Sequence, residues 1–397
     1  MKLIKQNQLA ILIICTVISA TLIITLVHDP HLVSHRRANI EFLSIDRFEN
    51  FIDSFRDENN IIRFHENYAG AYLDNAGQLV IMISPASHTE TLEPDEFRDI
   101  SQEFAERAGL RSTSDIIFKE ASFSHSYLTN LIAKFNESLL DALENPDNTD
   151  SIWNYVTAII LIDNENLISI EIYYLDDMKI ERFREEASDS PAVVFRRSRN
   201  QNIASQSYGL VAETDLRPGM MASTGSMGFR ARMGDYHGFV TAGHNAQTGS
   251  PVFRIHQIGT CIISIVDSRL DGAFVKSYYE ILDVTFAGNR ISGINTFPLH
   301  GASIFQEGRA TGVTMGHIRS TNATHQYFLH RGHVTVTRTN LIVGDYFSAV
   351  NDSGGIVYDI YGRVLGIHLA GPIYATHGDR LVESVVTIQN VLGVEAY

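Results

Sequence analysis

Three side chains of the types that acyl transfer needs stand at positions 244, 271 and 353. His244 closes the small-residue run GFVTAGH at 238–244, Asp271 opens the apolar stretch LDGAFV at 270–275, and Ser353 sits between an acid and two glycines in NDSGG at 351–355. Taken singly, each has an ordinary explanation: a satisfied core histidine, a turn aspartate, a turn serine. Their order and local settings together point to nucleophilic chemistry. A nucleophilic serine has to be exposed on a tight turn, with backbone N–H groups facing the same reacting carbonyl. Gly354 and Gly355 give such a turn its backbone freedom. Histidine is the side chain that can take and return a proton near neutral pH, and a buried aspartate fixes its tautomer.

The segments that carry these residues are short and strand-like. From 205 to 397 the chain alternates apolar stretches such as GFRARM, HGFVTAG, TCIISIV, GAFVKS, YFLHRGHVTVTRT, GGIVYDIYGRVLGIHLAG and LVESVVTIQNVL with Gly, Asn, Asp and Ser turns. That density of short strands predicts an all-β barrel or sandwich, closed by a helix near 386–393.

The region before it has a different rhythm. Phe42, Ile45, Phe48, Ile52 and Phe55 recur at helical spacing; YAGAYLDNAGQLVIMIS reads as two strands joined at 74–77; EPDEFRDISQEFAERAG and SHSYLTNLIAKFNESLLDAL read as helices. AIILIDNENLISIEIYYLDDMKIERFREEA then repeats strand, Asp-Asn turn, strand and acidic helix, so a duplicated hairpin-plus-helix unit is expected across 31–204. A polar link, RRSRNQNIASQS at 196–207, separates the two regions, with a boundary between about 195 and 215.

Charge divides the chain at the same place. Residues 205–397 carry 13 Lys and Arg against 14 Asp and Glu, and Lys276 is their one lysine; of the total net charge of −15, a net −14 falls on residues 1–204. Neither region has the basic patch that nucleic-acid binding requires. The two cysteines, Cys15 and Cys261, cannot build a disulfide framework. No histidine or acid cluster has metal-ligand spacing, no phosphate loop or dinucleotide fingerprint occurs, and neither metal nor cofactor is expected. Residues 9–27 are uncharged and follow Lys2 and Lys5. They predict a signal-anchor that tethers the chain to a membrane, or a signal peptide in residues 1–30, and an extracytoplasmic location for the rest.

The combination GFVTAGHN, LDGAFV and NDSGG resembles the chymotrypsin-fold serine proteases, in the bacterial branch of α-lytic protease and the streptogrisins. TGSMGFRAR, IGTCIISI, EGRATGVTMGHI and GRVLGIHLAG follow in that family's order, so the resemblance covers 205–397. It implies a double β-barrel protease domain there, with His244 as general base, Asp271 orienting it and Ser353 as nucleophile. The backbone N–H groups of Asn351 and Ser353 would form the oxyanion hole. Residues 31–204 resemble the α+β pro-regions of such proteases, which assist folding and inhibit the product until removed. Protein or peptide substrates and the chain's own pro-region are the implied partners.

Several positions depart from the family pattern. Asn245 replaces the cysteine that commonly follows the histidine, Asn351 replaces a glycine, and Ile356 replaces a proline. Leu369 stands where a serine commonly supports the aspartate, so Asp271 needs another donor. The strand GIHLAG at 366–371 forms a wall of the family's primary specificity pocket. His368 there, with Ser348 on the other wall and Gly371 at the strand's end, resembles the glutamyl endopeptidases and implies a preference for cutting after Glu or Asp. Phe347, at the base-of-pocket position, argues against a preference for Arg or Lys. Two other readings dispense with the chemistry, and the first of them keeps the fold. One is a catalytically silent extracellular binding protein that retains the triad's shape; the other, a surface adhesion protein, leaves the three motifs unexplained.

Overall fold

Between Tyr68 and Arg197 the order strand, strand, helix, strand occurs at two places. In the computed structural model, which describes residues 30–86, 91–110, 115–144, 151–198, 215–329, 334–371 and 378–397, helix α1 (Pro30–Asp53) precedes the first of them. Strands β1 (Tyr68–Leu73) and β2 (Leu79–Ile83) pair antiparallel, helix α2 (Pro94–Arg107) follows, and β3 (Ile117–Glu120) returns parallel to β2. After helix α3 (His125–Glu144), strands β4 (Val156–Ile162) and β5 (Leu167–Ile172), helix α4 (Asp177–Glu186) and β6 (Val193–Arg197) repeat the same order, with β6 parallel to β5. The apolar run at 9–27 lies outside the described residues; among those described, no helix is long and apolar enough to cross a membrane.

Local chemistry accounts for these elements. Ile45, Phe48, Phe51 and Ile52 form the buried stripe of α1. Asp74 Oδ1 accepts the N–H groups of Ala76 and Gln78 and closes the first hairpin turn. Pro94 starts α2, where its missing N–H costs nothing, and Gly109, at φ +77°, ends it. Asp176 caps α4 by accepting the N–H of Lys179 at 2.9 Å.

The second region is built of two six-stranded sheets. After the small ribbon β7 (Met221–Ala222) and β8 (Gly225–Ser226) come β9 (Arg230–Met233), β10 (Tyr236–Thr241), β11 (Pro251–Phe253), β12 (Gln257–Val266) and β13 (Asp271–Ser277). The first sheet has the order β11-β12-β13-β10-β9-β21, its last strand being Glu395–Ala396 at the C-terminal end of the chain. The remaining strands are β14 (Gly293–Ile294), β15 (Ser303–Gly308), β16 (Gly312–Leu329), β17 (Val334–Gly344), β18 (Ile356–Asp359), β19 (Arg363–Ala370) and β20 (Arg380–Ser384). Six of these seven run in the order β15-β18-β19-β20-β17-β16, with β14 parallel beside β19; β15 also pairs with β16, so the six close into a barrel. Closure removes the sheet edges that a β domain must otherwise protect.

Two stretches read from sequence as single strands each hold parts of two strands. GGIVYDIYGRVLGIHLAG folds as β18 and β19 because Asp359 Oδ1 accepts the N–H groups of Tyr361 and Arg363 and Gly362 adopts φ +74° between them. YFLHRGHVTVTRT contains the end of β16 and the start of β17. The terminal helix is α5 (Val385–Leu392), capped by Ser384 and ended by Gly393 at φ +66°.

The two regions share hydrogen bonds and core. Ala323–His325 of β16 pair with Ala158–Ile160 of β4, so the barrel's sheet continues into β4, β5 and β6. The buried carboxylate of Glu41 on α1 accepts the backbone N–H of Ser303 at 2.5 Å and its hydroxyl at 2.9 Å. Phe51, Phe104 and Ile81 from the first region pack in one apolar cluster with Ile304, Tyr346 and Val382 of the barrel.

Candidate active site

His244 sits in a one-turn 3-10 segment, Gly243–Asn245, directly after β10, and Asp271 is the first residue of the neighbouring strand β13. The turn fits against β12 because position 243 has no side chain: a Cβ there would lie 2.3 Å from the Ile265 carbonyl oxygen. Asp271 is completely buried and grips His244 twice. Its Oδ2 lies 2.7 Å from His244 Nδ1 and its Oδ1 accepts the His244 backbone N–H at 3.0 Å. With Asp271 an acceptor, the proton of a neutral imidazole belongs on Nδ1, which leaves Nε2 as the basic nitrogen. Burial pulls the imidazole pKa down, but the adjacent charge of Asp271 and its hydrogen bond outweigh that, and the net shift is upward. For Asp271, burial pushes up while the His244 charge and the bonds from His244 and Tyr327 prevail, so its pKa falls.

The donor that Leu369 cannot give comes from Tyr327. Its hydroxyl, on β16, donates to Asp271 Oδ2 at 2.7 Å, and the residue is 2% exposed. A second layer holds the backbone: Asp271 N–H donates to Glu383 Oε2 at 3.2 Å. Glu383 in turn takes Nε and Nη2 of Arg338 at 2.9 and 2.8 Å, both side chains being buried. Arg338 Nη1 also donates to the Ser268 carbonyl, tying the loop before Asp271. Sequence reasoning missed Tyr327, Arg338 and Glu383. A tyrosine in an apolar strand 56 residues from the aspartate looks like ordinary core, and no local signal separates the two cases.

Ser353 follows a turn whose conformation is well defined. Asp352 N–H donates to Ala349 O at 3.1 Å, and Asn351, the third residue of that turn, has φ +82°. Val350 has no positive φ, so the turn is of type II, which asks for Gly or Asn at that place. Asn351 therefore meets the need that a glycine meets in the family it resembles. The middle peptide is turned opposite to that of a type I turn. Among the described residues, the N–H groups of Asn351 and Ser353 donate to no protein atom. Asp352, fully buried, anchors the turn by accepting from Ala310 N, Thr311 N, Thr311 Oγ1 and Ala349 N. Gly354, at φ +86°, brings the turn against the first sheet; a Cβ there would lie 2.2 Å from Thr241 Oγ1.

Asn245, at the expected cysteine position, contributes a tie of its own. Its Nδ2 donates to the carbonyl of Ser353 at 2.7 Å, which links the histidine turn to the serine turn. The Ser353 hydroxyl donates to Leu369 O at 2.8 Å and not to His244. The structure thus joins histidine and aspartate directly, and joins the serine to the histidine turn through the Asn245 amide. Cys261 is buried and free, and burial raises its thiol pKa to about 11.

The expected pocket residues lie around the end of β19. His368 is 2% exposed, and its Nδ1 lies 2.9 Å from the Tyr346 hydroxyl. Burial, with the positive charge of Arg380 and then His244, pushes its pKa down to about 3, so this imidazole is neutral. Ser348 is nearly buried, and Phe347 is 43% exposed. At Gly371 a missing Cβ would lie 2.3 Å from Arg380 Cδ, 2.8 Å from Arg380 Nε and 3.1 Å from Ser348 Oγ. Sequence reasoning did not single out Arg380, which begins β20 and is completely buried.

Comparison with known proteins gives likeness on both sides of the polar link. Residues 128–198 match the family described as Pro-like C-terminal domain. A search of curated proteins finds no match. Among solved structures, Cellulomonas bogoriensis chymotrypsin is 24% identical, over 46% of this chain and 98% of its own, with a TM-score of 0.39. The Nocardiopsis protease NAPase is 25% identical over 46% and 98%, with a TM-score of 0.41. A glutamic acid specific serine protease, described as using a novel histidine triad in substrate binding, is 23% identical over 46% and 100%, with a TM-score of 0.39. The chain is thus similar to bacterial chymotrypsin-like serine proteases in about half its length, and to a Pro-like C-terminal domain just before it.

Proposed function

We propose that this chain is a serine endopeptidase made as a zymogen, with residues 205–397 as the protease unit and 31–204 as its pro-region. The observation that carries the reading is the two-point capture of His244 by a buried Asp271, which leaves Nε2 as the base. For the reaction, Ser353 Oγ has to leave the Leu369 carbonyl and donate to that nitrogen instead. His244 then accepts the hydroxyl proton as Oγ attacks the peptide carbonyl, and the N–H groups of Asn351 and Ser353 receive the oxyanion. Collapse breaks the C–N bond, the imidazolium returns its proton to the leaving amine, and water repeats the sequence to release the acid. The preference for Glu or Asp expected from Ser348, His368 and Gly371 is part of the same reading. So is an extracytoplasmic site of action, reached through residues 9–27 as anchor or signal.

A catalytically silent binding protein is the second reading, favoured by the Ser353 hydroxyl's bond to Leu369 rather than to His244. A fluorophosphonate probe separates the two. It reacts with an activated serine whatever the substrate preference, so the matured protein should label at Ser353 and the Ser353→Ala variant should not. Absence of labelling in folded, matured protein supports the silent reading.

A further inference from the structure

We infer that Ser226 and Asn245 are positioning residues for the oxyanion hole: they hold the carbonyl groups of the nucleophile turn against the protein, so that its N–H groups face the substrate. The inference rests on the endopeptidase reading and adds to it two residues that act through Asn351 and Ser353.

Ser226, completely buried at the end of β8, uses every polar group it has on the turn or its supports. Its hydroxyl donates to the Asn351 carbonyl at 2.7 Å and accepts the Arg309 backbone N–H at 2.9 Å. Its own N–H donates to the Ser353 carbonyl at 2.8 Å, and its carbonyl accepts from Thr241 Oγ1 at 2.8 Å. Asn245 Nδ2 gives the Ser353 carbonyl its second bond, at 2.7 Å, and donates to Thr241 Oγ1 at 3.3 Å. The fit around this amide is close. A Cβ at Gly225 would lie 2.1 Å from Asn245 Nδ2 and 2.5 Å from the Ser353 carbonyl oxygen, so a side chain there would displace the tie.

Peptide geometry turns these bonds into an orientation. Three successive carbonyl groups are held: that of Asn351 by the Ser226 hydroxyl, that of Asp352 by the Gly355 N–H at 2.8 Å, and that of Ser353 by Ser226 and Asn245. In a trans peptide the carbonyl and the N–H point opposite ways, so a held Asp352 carbonyl turns the Ser353 N–H outward. The peptides on either side of that one are the two that Ser226 grips. Their own N–H groups stay inside the fold, Asp352 N–H on the Ala349 carbonyl and Gly354 N–H on the His368 carbonyl. The grip matters most at Asn351, whose φ of +82° lies in a region that residues with a Cβ seldom occupy. An oxyanion donor helps the reaction only when it already points at the place where charge develops. Because Asn245 directly follows His244, its bond also ties the base to the same turn.

The test uses the full chain after maturation, with active sites counted by fluorophosphonate titration and a peptide substrate chosen from the cuts that wild type makes. Two inhibitors of the same sequence accompany it. One is a trifluoromethyl ketone, to whose carbon Ser353 Oγ adds as His244 takes the proton, leaving an oxyanion; the other is the corresponding alcohol, which forms no adduct. Ser226→Ala should lower kcat about tenfold or more with KM within about twofold, as part of the roughly 10²–10³ that an oxyanion donor contributes. It should weaken the ketone by a like factor and leave the alcohol unchanged, because only the adduct carries the charge. The acid limb of kcat/KM should stay in place, since His244 and Asp271 keep their contacts; a merely structural defect would weaken ketone and alcohol alike. If Ser226→Ala does not mature, Asn245→Ala, which removes one of two donors to the Ser353 carbonyl, should show the same split at about three- to tenfold. A kcat within twofold of wild type in the variants that mature, or equal weakening of ketone and alcohol, overturns the proposal. Failure of the wild-type titration, by contrast, overturns the endopeptidase reading on which it rests.

Discussion

Tyr327→Phe tests the support that Asp271 needs in the proposed mechanism. The substitution keeps the buried ring and deletes one oxygen, the donor 2.7 Å from Asp271 Oδ2. Asp271 would keep two contacts on its carboxylate, the backbone N–H and Nδ1 of His244. A buried hydrogen bond to a charged group contributes about 1.5–3 kcal/mol. If losing this tie lets the carboxylate and the imidazole it orients drift from the productive geometry at a cost of about 1.4–2.7 kcal/mol in the transition state, kcat/KM falls about 10- to 100-fold. The pH profile should move as well. Tyr327 is one of the groups that lower the Asp271 pKa, so its removal makes the carboxylate more basic and the imidazolium more stable. In the proposed mechanism His244 works as the neutral base, and its pKa is already raised; raising it further moves the acid limb of kcat/KM to higher pH. The assay is a pH–rate profile of the matured variant, with active sites titrated. A plateau within twofold of wild type and an unmoved acid limb would refute the assignment of Tyr327 as a positioning residue.

Other outcomes follow from the same geometry. Arg338→Met leaves the Glu383 carboxylate buried without its cation and should cost about 3–5 kcal/mol, while Arg338→Met with Glu383→Leu should recover most of it. Thermal unfolding in a Ser353→Ala background reads both. At the junction of the two regions, burial holds Asp163 up at about 6 against the Thr321 donors, with Tyr68 and His300 close by. Its contribution to precursor stability should be fully present below the ordinary carboxylate value and lost as pH rises through about 6, at most about 3 kcal/mol. Urea midpoints of the Ser353→Ala precursor between pH 4 and 8 measure it, and Asp163→Asn should flatten that part of the curve. Asn351→Gly should leave activity within a few-fold, whereas Asn351→Val, a branched residue at φ +82°, should cost about 1–3 kcal/mol and reduce activity with it.

Local patterns made much of this protein legible in sequence. Helices α1 to α4 follow apolar spacing, and the turns at Asp74-Asn75 and Asp163-Asn164 each join two antiparallel strands. The positions 244, 271 and 353 were singled out as candidates because turn glycines, an apolar strand and an acid each leave a short-range mark, and the structure brings His244 and Asp271 into contact. What remained hidden is long-range. Tyr327, Glu383 and Arg338 reach Asp271 from β16, β20 and β17, and nothing in their neighbours in sequence distinguishes them from core or surface residues. Arg380 escaped for the same reason, since its place beside Gly371 depends on how β20 pairs with β19. The two stretches read as single strands show the other limit. One Asp and one Gly were enough to turn β18 into β19 inside an otherwise continuous apolar pattern.

In the proposed mechanism His244 and Asp271 activate Ser353 for peptide hydrolysis. The most direct test is to mature the full chain, expose it to a complex peptide library, and identify new termini by mass spectrometry beside a Ser353→Ala control. Cuts that depend on Ser353 and follow acidic residues are predicted. A folded protein, freed of residues 31–204, that makes no Ser353-dependent cut would contradict the account.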